Sequence, residues 1–349
     1  MAPLAFSTVD AFTSTPFSGN PAAVILIIFP TSDPRSSSPS TLQKIAAEFN
    51  LSETAFATPI PDAAGGEEDE GVGSYTLRWF TPAVEVPLCG HATLATSHIL
   101  FKLRPLLHTL KFTTLSGLLI ARNLRSPGSA TNSIALNFPA DHKALKTYSV
   151  GDGERYETAL AVALAAAPAL DGKVLGVAWT GGGMGCLVEV AAEVDLEGLE
   201  VRPQGVIADG NPDGCLTVTK RSTRAGIDIE SRLFAPGLGI DEDPVVSFLI
   251  RLPLNSAAPA EAILPYFFFT CNDKKTGAAH CYLGPYWLGT SARTRLDATF
   301  DAGSKPKMSL TARQVSKRGG GMSLSWDREA GRIDLIGEAV TMLTGSIDF

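Results

Sequence analysis

The stretch EVPLCGHATLATSHIL, residues 85–100, decides how the rest of the chain is read. After Cys89-Gly90-His91 the residues are small or apolar on every side, and a helix without a polar face has to be enclosed by other structure. The spacing therefore predicts a helix over 90–102, buried inside sheet rather than laid on a surface. Its first turn carries N–H groups with no intrahelical acceptor and the positive end of the helix dipole, which together favour a bound carboxylate. A leading glycine on its own is equally a tight turn, so a second element is needed.

That element lies in the second half of the chain. DEDPV at 241–245 and TGAAHCYLGPYW at 276–287 repeat the order of an acidic strand end and a glycine-started apolar helix. Around them recur short β-branched and aromatic runs bounded by Gly, Pro and Ser, among them AAVILIIF, YTLRWF, SIALNF, VLGVAW and CLTVTK. Helical patterns are few, at 39–50, 90–102, 154–166 and 276–288. The simplest architecture is α+β, with two pseudo-symmetric domains, each a β barrel-like sheet wrapped around a central α-helix. A seam at NLRSPGSATNS (123–133) separates an N-terminal domain, 1–128, from a C-terminal domain, 129–349, whose last strand can return to the first domain. Solvated loops are expected at 30–40 and 61–74, which are rich in Pro, Ser, Gly and acid. Residues 246–275 stand between the acidic strand end and its helix; without them the sequence would run DEDPVTGAAHCYLGPYW. They read as an unspliced intron or a lineage-specific insertion, beside the plain alternative of a surface excursion, since long loops add little closure entropy.

Composition narrows the function classes. A chain of 349 residues that is 45% hydrophobic can build two cores. With a net charge of -7 and its 29 Lys and Arg scattered, it offers no positive field for phosphate backbones, so nucleic acid is not an expected partner. Five cysteines, at 89, 186, 215, 271 and 281, form no CxxC pair and argue against a disulfide framework or structural zinc. The apolar run 22–29 is far shorter than the roughly 20 residues a bilayer requires, and no basic segment precedes it, so a cytoplasmic protein without a membrane partner is expected. His98, His108 and His142 have no partner at metal spacing, GGGMG (181–185) lacks the spacing of a dinucleotide loop, and His280 and Cys281 are expected in the core. No metal site is predicted.

In IAAEFNLSETAF (45–56), Glu53 stands where a helix gives way to a strand, with Ser52 and Thr54 beside it. Spacing alone makes it a solvated surface acid. Enclosed among Phe49, Phe56 and their neighbours it would instead have a raised proton affinity suited to proton shuttling.

Six ordered segments, FTSTPFSGNPAAVIL (12–26), IAAEFNLSETAF (45–56), LRWFTPAVEVPLCGHATLATSHIL (77–100), SRLFAPGLGIDEDPV (231–245), TGAAHCYLGPYW (276–287) and QVSKRGG (314–320), resemble the signatures of the PhzF phenazine-biosynthesis-like family, which has the diaminopimelate epimerase fold. The resemblance implies a homodimer without metal or organic cofactor, and a small-molecule carboxylate substrate held in a cleft between two halves. It implies an isomerase that removes a proton from one carbon of an unsaturated amino acid and returns it to another, as on trans-2,3-dihydro-3-hydroxyanthranilate. Glu53 matches the family's catalytic glutamate, His91 the histidine of the first helix start, and Asp243 the aspartate of the E-D-P segment. Gly90, Cys89, Thr276, Gly277, Ala278 and Asn20 fall at substrate-binding positions.

Epimerases of this fold use two opposed cysteines, one before each helix. Here Cys89 holds the first place and Thr276 the second, and a hydroxyl is too weak an acid to replace a thiolate unaided. Cys89 is therefore read as a small packing residue in the pocket. Two departures bear on the site: Ala278 stands where Ser is common, and the segment 246–275 must leave and return near one point for the second helix start to be in place. Two other readings stay open, a proline racemase-like or hydroxyproline dehydratase-like enzyme and a non-catalytic small-acid-binding protein on the same fold.

Overall fold

The computed structural model describes residues 3–27, 38–60, 71–125, 132–140, 143, 145–180, 184–238, 240–243, 279–296 and 308–348. The segment 246–275 and Thr276-Gly277-Ala278 lie outside the described residues. The first half contributes β1 (Leu4–Ala11), β2 (Asn20–Leu26), α1 (Pro39–Phe49), β3 (Glu53–Pro59), β4 (Val72–Phe80), β5 (Glu85–Val86), α2 (Gly90–Leu103), β6 (Thr109–Thr114), β7 (Gly117–Asn123) and β8 (Ile134–Pro139). The second contributes β9 (Lys146–Tyr148), α3 (Glu154–Ala166), β10 (Val174–Trp179), β11 (Cys186–Val190), α4 (Pro203–Val206), β12 (Leu216–Arg221), β13 (Ile229–Ala235), β14 (Ile240–Asp243), α5 (Ala279–Gly289), α6 (Ala292–Leu296), β15 (Ser309–Gln314), β16 (Gly320–Asp327), β17 (Arg332–Gly337) and β18 (Ala339–Ile347). No helix among the described residues is long and apolar enough to cross a membrane.

Strand pairing runs unbroken from β18 through β1, β2, β3, β4, β6, β7, β8, β17, β16, β15, β13, β12, β11 and β10 to β9, giving a mixed α/β molecule with one large sheet and few helices. The ladders repeat a pattern. From β1 to β7 the pairs alternate antiparallel, parallel, antiparallel, parallel, antiparallel. From β10 to β16 they follow the same alternation. The second parallel pair of each half is reached through a short strand and an enclosed helix, β5 and α2 in one, β14 and α5 in the other. β8, beyond the seam, joins β7 to β17, and β18 returns to pair with β1 from Leu4↔Ile347 to Ala11↔Ala339.

α2 touches β1, β2, β3, β7, β8 and β18, which is why eleven of its residues are buried despite several hydroxyls. Thr93, Thr96 and Ser97 donate to the carbonyls of Cys89, Ala92 and Thr93, so they satisfy themselves within the helix without a polar partner outside it. α5 is buried from Ala279 to Leu288. The Tyr286 hydroxyl donates to Glu189 on β11 at 2.7 Å, and the Trp287 indole N–H donates to Thr219 on β12 at 3.1 Å. Leu94 and Leu100 of α2 and Leu283 and Trp287 of α5 belong to one hydrophobic cluster.

The expected loop 61–74 ends earlier than its composition implies, because β4 begins at Val72, paired with Thr109 of β6. Its glycine serves packing rather than a turn: a Cβ on Gly73 would stand 2.9 Å from Leu107 Cδ1. Glycine is used where another chain segment approaches this closely.

Candidate active site

Asn20 opens β2 directly after Gly19, whose φ of +69° and lack of space, a Cβ there standing 2.2 Å from the Ala11 carbonyl oxygen, admit glycine alone. The turn is tied down by the QVSKRGG segment. Arg318 donates to the Gly19 carbonyl at 2.8 Å and to Asp10 at 2.8 Å, and the Gly19 N–H donates to the Gly319 carbonyl. Glu53 and Ser52 arrive through another special residue: Asn50 caps α1 in the left-handed region, φ 48°, which asparagine tolerates better than most side chains, and swings the chain into β3. β3 then pairs in parallel with β2, Glu53 opposite Ala22. His91 lies in the first turn of α2, and Asp243 ends β14, its backbone carbonyl accepting from the Gln314 side-chain amide.

These elements converge. The Asn20 amide nitrogen lies 3.3 Å from Asp243 Oδ1 and 3.3 Å from His91 Nδ1. Ser52 Oγ lies 3.2 Å from His91 Nε2, and its hydroxyl is 3.2 Å from both Asn20 Oδ1 and the Pro21 carbonyl. Asn20, Glu53, His91 and Asp243 are all fully enclosed by protein. The expectation from spacing that Glu53 is a solvated acid is thus overturned. Neither of its carboxylate oxygens has a hydrogen-bond partner among the described residues. Burial first, and the neighbouring Asp243 charge second, hold its carboxyl well above the ordinary range.

Cys89 is buried in the same cluster, its Sγ 3.3 Å from His91 Nδ1. Desolvation and the Glu53 charge push its thiol well above the usual value, against a smaller opposite pull from the backbone N–H of Ala92. It is therefore a neutral thiol and not a thiolate base. Gly90, at the first position of α2, is buried beside it. Thr276, Gly277 and Ala278 lie outside the described residues. His280 and Cys281 are buried in α5, as expected. A cavity of about 750 Å³ lined by Arg202, Arg232, Asp241, Glu242, Lys317 and Arg318 is not this site. Glu242 lines that cavity and accepts from Arg232, while the next residue, Asp243, meets Asn20.

Three contributors were not legible from spacing. Ser52 links Asn20 to His91, Gln314 holds the Asp243 backbone, and Arg318 clamps the turn before Asn20. The only sequence signal for them is their place in the SETAF and QVSKRGG segments.

The family model described as phenazine biosynthesis-like protein matches residues 9–247, ending where the atypical segment begins. An uncharacterized isomerase of Halalkalibacterium halodurans is 32% identical, the match covering 97% of this chain and 96% of that protein. Phenazine biosynthesis-like domain-containing protein 1 of Mus musculus is 33% identical over 97% and 96% of the two chains. Among solved structures, a PhzF-family protein of Enterococcus faecalis superposes with a TM-score of 0.68 at 26% identity, covering 100% of both chains. Together with the converging Asn20, Glu53, His91 and Asp243, these matches establish that the chain belongs to the PhzF, phenazine biosynthesis-like family.

Proposed function

We propose that the protein is a cofactor-independent isomerase that moves a proton on a small unsaturated amino or hydroxy acid, with Glu53 as the group that takes and returns it. The observation that carries the reading is the enclosed Glu53 carboxyl, without a hydrogen-bond partner among the described residues and with raised proton affinity, beside a buried His91–Asn20–Asp243 cluster. A proton on carbon next to an enol or imine is weakly acidic. Its removal needs a base stronger than a solvated carboxylate, within hydrogen-bond reach and screened from water. His91 and Asp243 hold the substrate's amino and hydroxyl groups, and the N–H groups of Gly90 and Gly277 bind its carboxylate. The naming of relatives as isomerases supports the same reaction class.

The proposal carries an architecture: domains 1–128 and 129–349, each a barrel-like sheet around its helix, with 246–275 an insertion in the second and the site between the two. Two-thiol epimerisation is not proposed, because Cys89 is pushed away from the thiolate form.

The test is deuterium incorporation followed by NMR. Trans-2,3-dihydro-3-hydroxyanthranilate is given in D2O to the wild-type chain, to Glu53→Gln and to a chain lacking 246–275. The expected result is label at the carbon that gains the proton, lost by about 10²- to 10⁴-fold in Glu53→Gln. Labelling that is as fast in folded Glu53→Gln as in wild type refutes the role of Glu53, and a folded wild type that leaves the compound unlabelled removes this substrate.

A further inference from the structure

Among the described residues, Ser52, Asn20 and the neutral Cys89 thiol, whose Sγ lies 3.3 Å from His91 Nδ1 and can donate to it, suit one arrangement of hydrogens around His91. Asn20 turns its amide nitrogen to Asp243 Oδ1 at 3.3 Å and to His91 Nδ1 at 3.3 Å, and its carbonyl oxygen receives the Ser52 hydroxyl at 3.2 Å. Turning the amide over would set its oxygen against a carboxylate oxygen of Asp243, acceptor facing acceptor. With the amide donating, His91 Nδ1 has to be the accepting nitrogen, and an imidazolium, a donor at both nitrogens, would meet the Asn20 N–H groups head on. The ring's proton then sits on Nε2, where Ser52 Oγ, 3.2 Å away, accepts it. The Ser52 hydroxyl hydrogen is free to do this because it has its own acceptors in Asn20 Oδ1 and the Pro21 carbonyl.

We infer that Ser52 is a positioning residue for His91: with Asn20 it holds the imidazole neutral, protonated at Nε2, and keeps Nδ1 as an acceptor. In a histidine, the nitrogen that carries the proton is set by the partner the other nitrogen has. Both partners here come from outside α2, one from the start of β2 and one from the residue before β3. The four side chains lie far apart in the chain, with a sequence separation of 71 between Asn20 and His91 and of 223 between Asn20 and Asp243, so the fold assembles the clamp before any substrate arrives. Asn20 is by this reasoning also a positioning residue, its amide hydrogens engaged by the protein itself. As a statement about catalysis the inference rests on the proton-transfer reading above. As a statement about the ring it can be read without turnover.

The test uses the full chain labelled with ¹⁵N-histidine and long-range H–N correlation spectra, with His91 assigned by its loss in His91→Gln. Wild type is expected to show Nδ1 unprotonated and Nε2 protonated. Ser52→Ala should give a mixture of the two neutral forms, and Ser52→Thr, which keeps the hydroxyl, should restore the single form. In the deuterium assay Ser52→Ala should lower kcat roughly 10- to 100-fold with KM little changed, again restored by Thr. A wild-type ring protonated at Nδ1 overturns the inference without any variant. So does a ring form unmoved in folded Ser52→Ala, even while the chain exchanges deuterium. A wild type that shows the expected ring but exchanges nothing overturns the proton-transfer reading and leaves the ring assignment standing.

Discussion

Replacing Glu53 by glutamine should make the protein progressively more stable than wild type as the pH rises. The carboxyl is enclosed, has no hydrogen-bond partner among the described residues, and is held well above its ordinary value by burial and then by Asp243. In the unfolded chain it titrates near about 4.3. Because the folded value is the higher one, the folded state keeps a proton that the unfolded state releases. Its stabilising contribution is full below the unfolded value and is lost as the pH climbs toward the folded one. While Glu53 is protonated only in the fold, wild type loses about 1.4 kcal/mol per pH unit from this group. Glutamine has nearly the same shape and does not titrate. The gap between Glu53→Gln and wild type should therefore widen at about that slope, to at most about 3 kcal/mol between pH 5 and pH 7. Urea denaturation at pH 5, 6 and 7 reads it directly, provided the two proteins share one m-value. Asp243→Asn, which removes the second cause, should narrow the window. Stability curves for wild type and Glu53→Gln that run parallel across these pH values would refute the reasoning, since an unperturbed carboxyl contributes no slope there.

Burial lowers His280 to about 4, so its neutral ring supports the fold above an unfolded value of about 6.5 and that support is lost as the pH falls toward 4. His280→Leu should flatten this acid limb by roughly 3 kcal/mol in denaturation curves, and an unchanged limb counts against a buried neutral ring. Gly19→Ala should cost more than about 2 kcal/mol in Tm-derived stability, from the left-handed backbone and the Ala11 carbonyl in its way, and should slow deuterium exchange by displacing Asn20. Stability equal to wild type would show that the turn relaxes. Burial pushes Cys186, Cys215 and Cys281 to about 12 and Cys89 well above its usual value, so all four should resist iodoacetamide at pH 8 until urea is added, as read by mass spectrometry. Rapid native labelling of any of them would place that thiol in contact with solvent.

Much of the fold was legible because its strongest local signal is an anomaly. A helix as uniformly apolar as 90–102 has nowhere to go but inside, and its second occurrence in TGAAHCYLGPYW pointed to a repeat, while the order of the ladders from β1 to β7 and from β10 to β16 was seen only in the structure. Glu53 was a different case. Its local spacing pointed to solvent, and only the SETAF resemblance, and then the enclosure between β2 and β4, reversed that. The clamp on His91 could not be read at all, since Asn20, Ser52 and Asp243 meet only through pairings across strands distant in sequence. Repetition also misleads about chemistry. The strand in β3's place in the second half opens Leu216-Thr217-Val218 where β3 opens Glu53-Thr54-Ala55, so the ladder is duplicated and the acid is not.

The return of β18 to β1 makes the order of synthesis matter. Leu4 of β1 is made 343 residues before Ile347, its partner in the strand that covers one edge of β1. Until β18 follows, the strand that carries Asp10, the anchor of Arg318, has an uncovered flank of backbone hydrogen-bonding groups, the kind of edge on which chains misassociate. Long-range pairing of this sort also slows folding, because the closure entropy precedes its reward. Loss of β18 should thus produce a chain that aggregates through β1, a hazard lodged far in sequence from the residues whose loss causes it.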